Sequence, residues 1–369
     1  MRTESKSNIT LTYPDEIGFA FNPCIVKVDG DKVTRAIIKM EASGNGSDVV
    51  MFDAFRGKMY GDVREYIQTF FDAVPFGKVN YSEVERTELG KRVSFEVVVS
   101  VSGNDDVTFS FSVFYVWGAL KVGGVERYNG FRRLKWFKGY PFTFGVYAAG
   151  GSSILLGRDG APEKFISLSD QGVWNIPLKD SEHTAKDFYL ISDSTGGLQE
   201  VNFDRTFDLT FRYQYVGGGE KTDKVRIEVV DGYDEGYYLR WINRHGFFCY
   251  YLFKAGEQSR KVSSDSAYLR NNPLSYDMTY GYEGGAGRMQ SLKREDSLPI
   301  CAPLVDSETW DMLFDVTTSP VVDMFAGYEG GVPKWVSVNV VAASYTKGGA
   351  PLQDFICTIA LPEVEIQKL

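Results

Sequence analysis

Apolar and polar residues alternate with a period of two along most of the chain, the pattern of strands that bury one face. SFEVVVSVS (94–102) and VTFSFSVFYVW (107–117) flank the turn GNDD and read as one long hairpin. FDLTFRYQY and KVRIEVV flank a turn at Gly217 to Glu220 as a second, and WVSVNVVAASY and LQDFICTIAL flank TKGGAP as a third. PFTFGVY sets Phe142, Phe144 and Val146 on one face. The densest aromatic run is YYLRWINRHGFFCYYLF (237–253), in which NRHG supplies a tight turn between two strands. Alternation there sends Tyr238, Arg240 and Ile242 to one side and Tyr237, Leu239 and Trp241 to the other. Bulk on both sides predicts a core hairpin in a sheet covered on both faces.

Two segments switch to helical period. In DVREYIQTFFDAVP, Val63, Tyr66, Ile67, Phe70, Phe71 and Val74 share a face, Asp62 and Glu65 are spaced as a capping box, and Pro75 stops the run. A helix over Asp62 to Val74 follows. In SETWDMLFDV, Asp306 or Ser307 can cap, and Trp310, Leu313 and Phe314 share a face before Ser319 and Pro320, which predicts a helix over Ser307 to Val316. Each helix is expected to plug a sheet. The class is therefore all-β, built of β-sandwich or barrel domains with two amphipathic helices. At 369 residues the chain exceeds one ordinary core. The Gly- and Ser-rich AAGGSSILLGRDGAPEK sets the expected division near residue 150, into 1–150 and 151–369, each with one of the helices. GYEGG occurs at Gly281 and at Gly327 with unlike flanks and reads as turn composition, not as a repeat.

Composition narrows the function. An aromatic share of 15% suits pleated, half-buried surfaces. With 49 acidic against 40 basic residues the net charge is -9, the wrong sign for phosphate backbones, so nucleic acid is not an expected partner. MRTESKSNITLTYPDE lacks the apolar run of a signal peptide, and no stretch approaches the roughly 20 apolar residues of a membrane helix. A chain made in the cytoplasm with no membrane partner is expected, in which the sequons at Asn8, Asn45 and Asn80 carry no glycan.

Reactive chemistry finds little footing. Cys24, Cys249, Cys301 and Cys357 form no CxxC pair and read as buried free thiols. His183 lies in the polar loop KDSEHTAKD, and His245 is explained by its turn, although Cys249 follows four residues on. VGGGEKTDK has Glu220 where a phosphate loop needs glycine, and a strand follows it in place of a helix. Asp231, Asp234 and Glu235 could supply a carboxylate pair, and DGD (29–31) and NDD (104–106) resemble calcium ligands, but all read more simply as turns. No cofactor, metal or catalytic residue is assigned, and the chain is not read as an enzyme. The most basic patch, FRRLKWFKGYPF, interleaves Arg132, Arg133, Lys135 and Lys138 with aromatics, as an anionic-ligand groove would. Arg132 and Arg133, with Arg244 and His245 at the aromatic hairpin's tip, are the candidate partner contacts.

Three stretches together, YYLRWINRHGFFCYYLF, CAPLVDSETWDMLFDVTTSPVVDMFAG and WVSVNVVAASY with LQDFICTIALPEVEIQKL, resemble a family of structural proteins encoded by phages and prophages of Bacteroides and related bacteria. The resemblance extends to GFAFNPCIVKV and DVREYIQTFF. It implies a tail or baseplate component, distal-tail-like, made in the host cytoplasm and residing in the virion tail. Such a subunit assembles as a homo-oligomeric ring through β-rich interfaces, with other tail proteins as partners. The alternative is a carbohydrate-binding or carbohydrate-cleaving β-sandwich, with a host-surface glycan as partner. That alternative requires Trp241, Tyr250 and Trp136 to line an open cleft beside a carboxylate pair.

Overall fold

The computed structural model describes residues 1–44, 46–72, 76–120, 133–148, 152–158, 164–168, 170–180, 187–191, 198–202, 207–214, 220–232, 235–264, 275–279, 281–283 and 292–362. The chain divides into two compact units. One comprises Met1–Gly232, Arg240–Tyr251 and Ser319–Val321; the other comprises Tyr233–Leu239, Leu252–Thr318 and Val322–Leu369.

The first unit opens with β1 (Arg2–Lys6), β2 (Ile9–Tyr13), β3 (Ile17–Phe19), β4 (Ile25–Gly30), β5 (Val33–Ala42), β6 (Ser47–Asp53), β7 (Lys58–Asp62), α1 (Arg64–Thr69), β8 (Glu85–Thr87), β9 (Gly90–Val101) and β10 (Val107–Val116). They form two sheets, ordered β1-β2-β4-β7 and β3-β10-β9-β5-β6. Period-two patterning is obeyed: Val93, Phe95, Val97 and Val99 of β9 are buried, as are Ala36, Ile38 and Met40 of β5. The sheets face each other, with Tyr13 stacked on Phe111 at 4.2 Å between ring centres and the Cys24 thiol 2.7 Å from the Tyr115 hydroxyl. The expected hairpin β9–β10 is present, from Val107↔Val99 to Val116↔Gly90. Asn104–Asp106 lies in its turn, whereas Asp29–Asp31 leads from β4 in one sheet to β5 in the other.

Helix α1 is shorter than its periodicity predicts. Val63, Ile67, Phe70 and Phe71 are buried as expected. The capping box does not form, because Asp62 Oδ1 instead accepts the N–H groups of Arg64 and Cys24, each at 3.0 Å. The predicted end at Val74 and Pro75 lies outside the described residues.

The same unit continues with β11 (Arg133–Phe137), β12 (Phe142–Ala148), β13 (Ser152–Arg158), β14 (Lys164–Leu168), β15 (Gly172–Asp180), β16 (Asp187–Ile191), β17 (Leu198–Asn202), β18 (Phe207–Gln214) and β19 (Glu220–Val230). The sheet orders are β11-β19-β18-β13-β14 and β12-β15-β16-β17, with β8 also pairing β15. The expected β18–β19 hairpin is present, from Phe207↔Ile227 to Gln214↔Glu220. Here the division expected near residue 150 is corrected. β12 pairs β15 from Phe142↔Leu178 to Ala148↔Gly172, and β8 pairs it at Val173–Asn175, so ladders tie the two sides of residue 150 into one unit.

The remaining elements are β20 (Gly236–Ile242), β21 (Phe248–Ala255), β22 (Ser259–Ser264), β23 (Ser275–Asp277), β24 (Gly281–Glu283), β25 (Leu292–Val305), α2 (Ser307–Thr318), β26 (Val322–Glu329), β27 (Val332–Ser337), β28 (Asn339–Val340) and β29 (Gln353–Ala360). Their main sheet runs β27-β26-β20-β21-β25-β29-β28. Helix α2 matches its prediction closely, with Asp306 Oδ1 accepting the Thr309 N–H at 2.7 Å as the cap. It plugs the sheet through Trp310, whose ring meets Phe355 edge-on at 5.6 Å. The third expected hairpin is corrected: WVSV turns back on β26, with Phe325↔Trp335, and only Asn339 and Val340 pair β29. The loop that follows is irregular but anchored, since Tyr345 stacks on Phe355 at 5.9 Å.

Candidate functional site

The aromatic hairpin β20–β21 is core, as its two-sided bulk predicts. Trp241 is 0% exposed, and every residue from Tyr238 to Asn243 and from His245 to Phe253 is buried. The turn is built by Asn243, whose Oδ1 accepts the N–H groups of His245 at 2.9 Å and Phe247 at 3.0 Å. Gly246 sits at φ +75°, where a Cβ would lie 2.5 Å from Val116, so this position admits only glycine.

Of the four candidate partner contacts, Arg133, Arg244 and His245 lie among the described residues. His245, placed by its sequence at an exposed tip, is only 8% exposed, its ring parallel to that of Phe247 at 6.5 Å. Arg244 is half-buried and its carbonyl accepts the Ala119 N–H at 2.9 Å. Arg133 is exposed at the start of β11, while Arg132 lies outside the described residues, as do His183 and Asp234. The basic run around Arg133 is not an open groove. Trp136 and Phe137 are buried, Lys135 caps the Tyr251 ring at 5.9 Å, and Lys138 pairs with Asp231 at 3.0 Å.

Under the hairpin lies a buried polar network. Arg240 donates from Nη1 to the Tyr81 hydroxyl at 3.0 Å and from Nη2 to the Gly77 carbonyl at 2.8 Å. Tyr250 donates to Tyr81 at 3.3 Å and is hydrogen-bonded with Thr143 Oγ1 at 2.8 Å. Burial pushes the Tyr250 hydroxyl well above its ordinary pKa. Arg240 thereby clamps the segment around Gly77 to Tyr81 against β20. Trp136, Trp241 and Tyr250, the rings that an open sugar platform would need, are all buried.

Next to this network a cavity of about 120 Å³ is lined by Phe76, Lys78, Asn80, Arg86, Asn175 and Phe248, among others. Beside it β15 changes partner. β8 pairs Val173–Asn175 and β16 pairs Leu178–Asp180; Pro177, which has no N–H to give, falls between the two ladders. Asn175 is 2% exposed, and among the described residues neither its Oδ1 nor its Nδ2 meets a partner. Its cross-strand neighbour on β12 is Gly145, where the Phe247 ring fills the place of a side chain. Sequence reasoning missed this residue. The available signal was a lone amide within the apolar strand GVWNIPL.

A second surface is the outer edge of β6. Among the described residues β6 pairs only β5. Its outward positions include Val49 and Met51, the latter 56% exposed, and Phe55 just beyond is 74% exposed.

The cysteines are free, and all but the half-buried Cys301 are buried. Burial pushes the Cys24 and Cys357 thiols up to about 12. Among the described residues no group of three or more His, Cys, Asp and Glu could hold a metal ion, and no helix is long and apolar enough to cross a membrane.

No protein-family model matches the chain, and no curated protein matches it. Among solved structures, the periplasmic chaperone SfaE is similar at 10% identity and TM-score 0.21, covering 60% of this chain and 100% of its own. A 1.5-MDa bacterial ice-binding adhesin is similar at 10% identity and TM-score 0.18, over 80% and 92% of the two chains. PorU from Porphyromonas gingivalis is similar at 12% identity and TM-score 0.18, over 79% and 32%. TM-scores this low define neither a shared fold nor a shared activity.

Proposed function

We propose that the chain is a structural subunit of a phage tail or baseplate, distal-tail-like, that assembles into a homo-oligomeric ring and works by its interfaces and not by catalysis. Beyond the resemblance of its aromatic hairpin and C-terminal blocks, the observation that carries this reading is the outer edge of β6. An unpaired edge strand offers its N–H and C=O groups to another chain, and soluble proteins blunt such edges with lysine, proline or a covering element. β6, SDVVMFD, has neither lysine nor proline, and it exposes Val49 and Met51, with Phe55 exposed just beyond its end. Strand addition by a second copy would cover both the polar edge and the apolar patch. The carbohydrate-platform alternative loses its support with the burial of Trp136, Trp241 and Tyr250.

The test is native mass spectrometry of the pure protein, beside Val49→Lys and Met51→Lys variants, with imaging of particles to locate the chain. Expected are closed oligomers for the natural sequence and monomers for the variants. A chain that is strictly monomeric and absent from virions would overturn the proposal.

A further inference from the structure

The free edge of β6 has a definite chemical order. β6 pairs β5 antiparallel, with Val50 opposite Ile38 and Phe52 opposite Ala36. Beyond its two ends the same register continues, the Ala42 N–H donating to the Gly46 carbonyl at 3.2 Å and the Ala54 N–H to the Thr34 carbonyl at 2.8 Å. Hydrogen-bonded pairs alternate along an antiparallel ladder, so Asp48, Val50 and Phe52 bond inward to β5. The N–H and C=O groups of Ser47, Val49, Met51 and Asp53 therefore point away from the sheet, and no other described strand pairs them. Val49 and Met51, 61% and 56% exposed, thus offer open backbone groups and open apolar side chains at the same two positions.

The strand that best complements this edge is β6 itself. A lysine stands in each of the outer strands β1, β7, β11, β22 and β27, at Lys6, Lys58, Lys135, Lys261 and Lys334, and lysine deters strand addition. Between two antiparallel copies of β6, open groups meet only where odd-numbered residues face odd-numbered ones. Of these registers, the one with Val50 on a two-fold axis pairs all seven residues. It sets Val49 against Met51 of the second copy and Ser47 against Asp53 of the second copy, each twice. Apolar side chains then face each other, and each Asp53 carboxylate faces a hydroxyl. A slip by two residues sets Met51 against Ser47 or Val49 against Asp53, and it leaves two residues of each strand unpaired.

We infer that β6 pairs with β6 of a second copy, antiparallel about a two-fold axis at Val50, so that two five-stranded sheets join into one. This pairing rests on the assembly reading of the β6 edge and names its partner strand. Being isologous, it joins subunits in twos, and larger closed oligomers are built from such pairs. The test is disulfide trapping in the full chain, with the natural protein, whose four cysteines are free, as the blank. Val50 faces its own counterpart in a non-hydrogen-bonded pair, where Cα atoms stand about 4.5 Å apart, within disulfide reach. Val49 lies on the diagonal from its counterpart, about 7–8 Å away, beyond that reach. Val50→Cys should therefore form a disulfide dimer at least about tenfold faster than Val49→Cys, although Val50 is half-buried and chance collision favours the exposed Val49. If Val50→Cys does not fold, charge exchange decides. Val49→Lys and Met51→Glu should each weaken the dimer at least about tenfold in sedimentation. The double variant should recover most of that loss, because this register sets each new lysine against a new glutamate. Trapping at Val49 as fast as at Val50, or a double variant weaker than both single ones, would overturn the pairing. Closed oligomers with no disulfide at Val50→Cys would overturn it and leave the assembly reading standing, whereas a strictly monomeric chain would overturn both. A dimer trapped at Val50 in a chain absent from virions would support the pairing and overturn the tail assignment.

Discussion

Replacing Trp241 measures directly how the aromatic hairpin is used. The indole is fully buried on β20, and its Nε1 finds no hydrogen-bond partner among the described residues. Burying an aromatic side chain of about 200 Å² at about 25 cal/mol per Å² corresponds to about 5 kcal/mol. Alanine keeps part of that area and leaves a cavity, so Trp241→Ala should cost about 3–5 kcal/mol. Trp241→Phe behaves differently. The smaller ring loses about 1–2 kcal/mol of packing, but the change also removes an unbonded N–H whose burial costs about 1–3 kcal/mol. The two nearly cancel, and Trp241→Phe should lie within about 1 kcal/mol of the natural protein. Urea denaturation followed by far-ultraviolet circular dichroism gives both values from the shift in midpoint at constant slope. A loss under about 0.5 kcal/mol for Trp241→Ala would place the indole on the surface and restore the sugar-platform reading. A loss above about 2 kcal/mol for Trp241→Phe would mean that the N–H is bonded after all.

Arg240→Met should remove the clamp on Gly77 and Tyr81, lowering stability by about 1–3 kcal/mol and speeding tryptic cleavage after the exposed Lys78; unchanged cleavage would refute the clamp. Stability should fall on the alkaline side. The folded Cys24 thiol keeps its proton up to about 12, whereas the unfolded thiol releases its own near 9.0. Above that lower value the unfolded state binds fewer protons, so unfolding is favoured as pH rises between the two, and nothing changes below it. Cys24→Ala should flatten this alkaline limb in pH-dependent melts, and an unaltered limb would show that Cys24 is not its source.

Local pattern reveals what local pattern determines. The β9–β10 hairpin and α2 are each stabilised by neighbours close in sequence and by one buried face, so period and caps suffice to find them. The two-sided burial of YYLRWI was legible for the same reason. Long-range pairing was not. The tie between β8 and β15 links Arg86 to Trp174, and nothing in ERT or GVW announces the other. That tie hides the continuity of the first unit past residue 150. It also hides the cavity, whose lining brings Glu85, Arg86 and Leu89 together with Asn175. The turn NRHG set His245 at the hairpin's tip as a candidate contact, but the Asn243 turn draws the ring beside Phe247. Edge status, the basis of the assembly proposal, is likewise a property of the sheet: SDVVMFD reads as a strand whether or not another covers it.

The interleaving of the two units along the chain has a genetic consequence. Arg240–Tyr251 belongs to the first unit, although residues of the second precede and follow it. A single crossover after Gly232 would therefore hand the first unit a foreign hairpin tip. It would separate Tyr250 from Thr143 and Arg240 from Tyr81, and it would leave Val116 without the glycine it packs against. Exchange of the second unit between related genomes demands breakpoints on both sides of the tip, or a donor whose tip already matches. Inheritance of the two units as one block is the expected record of that constraint.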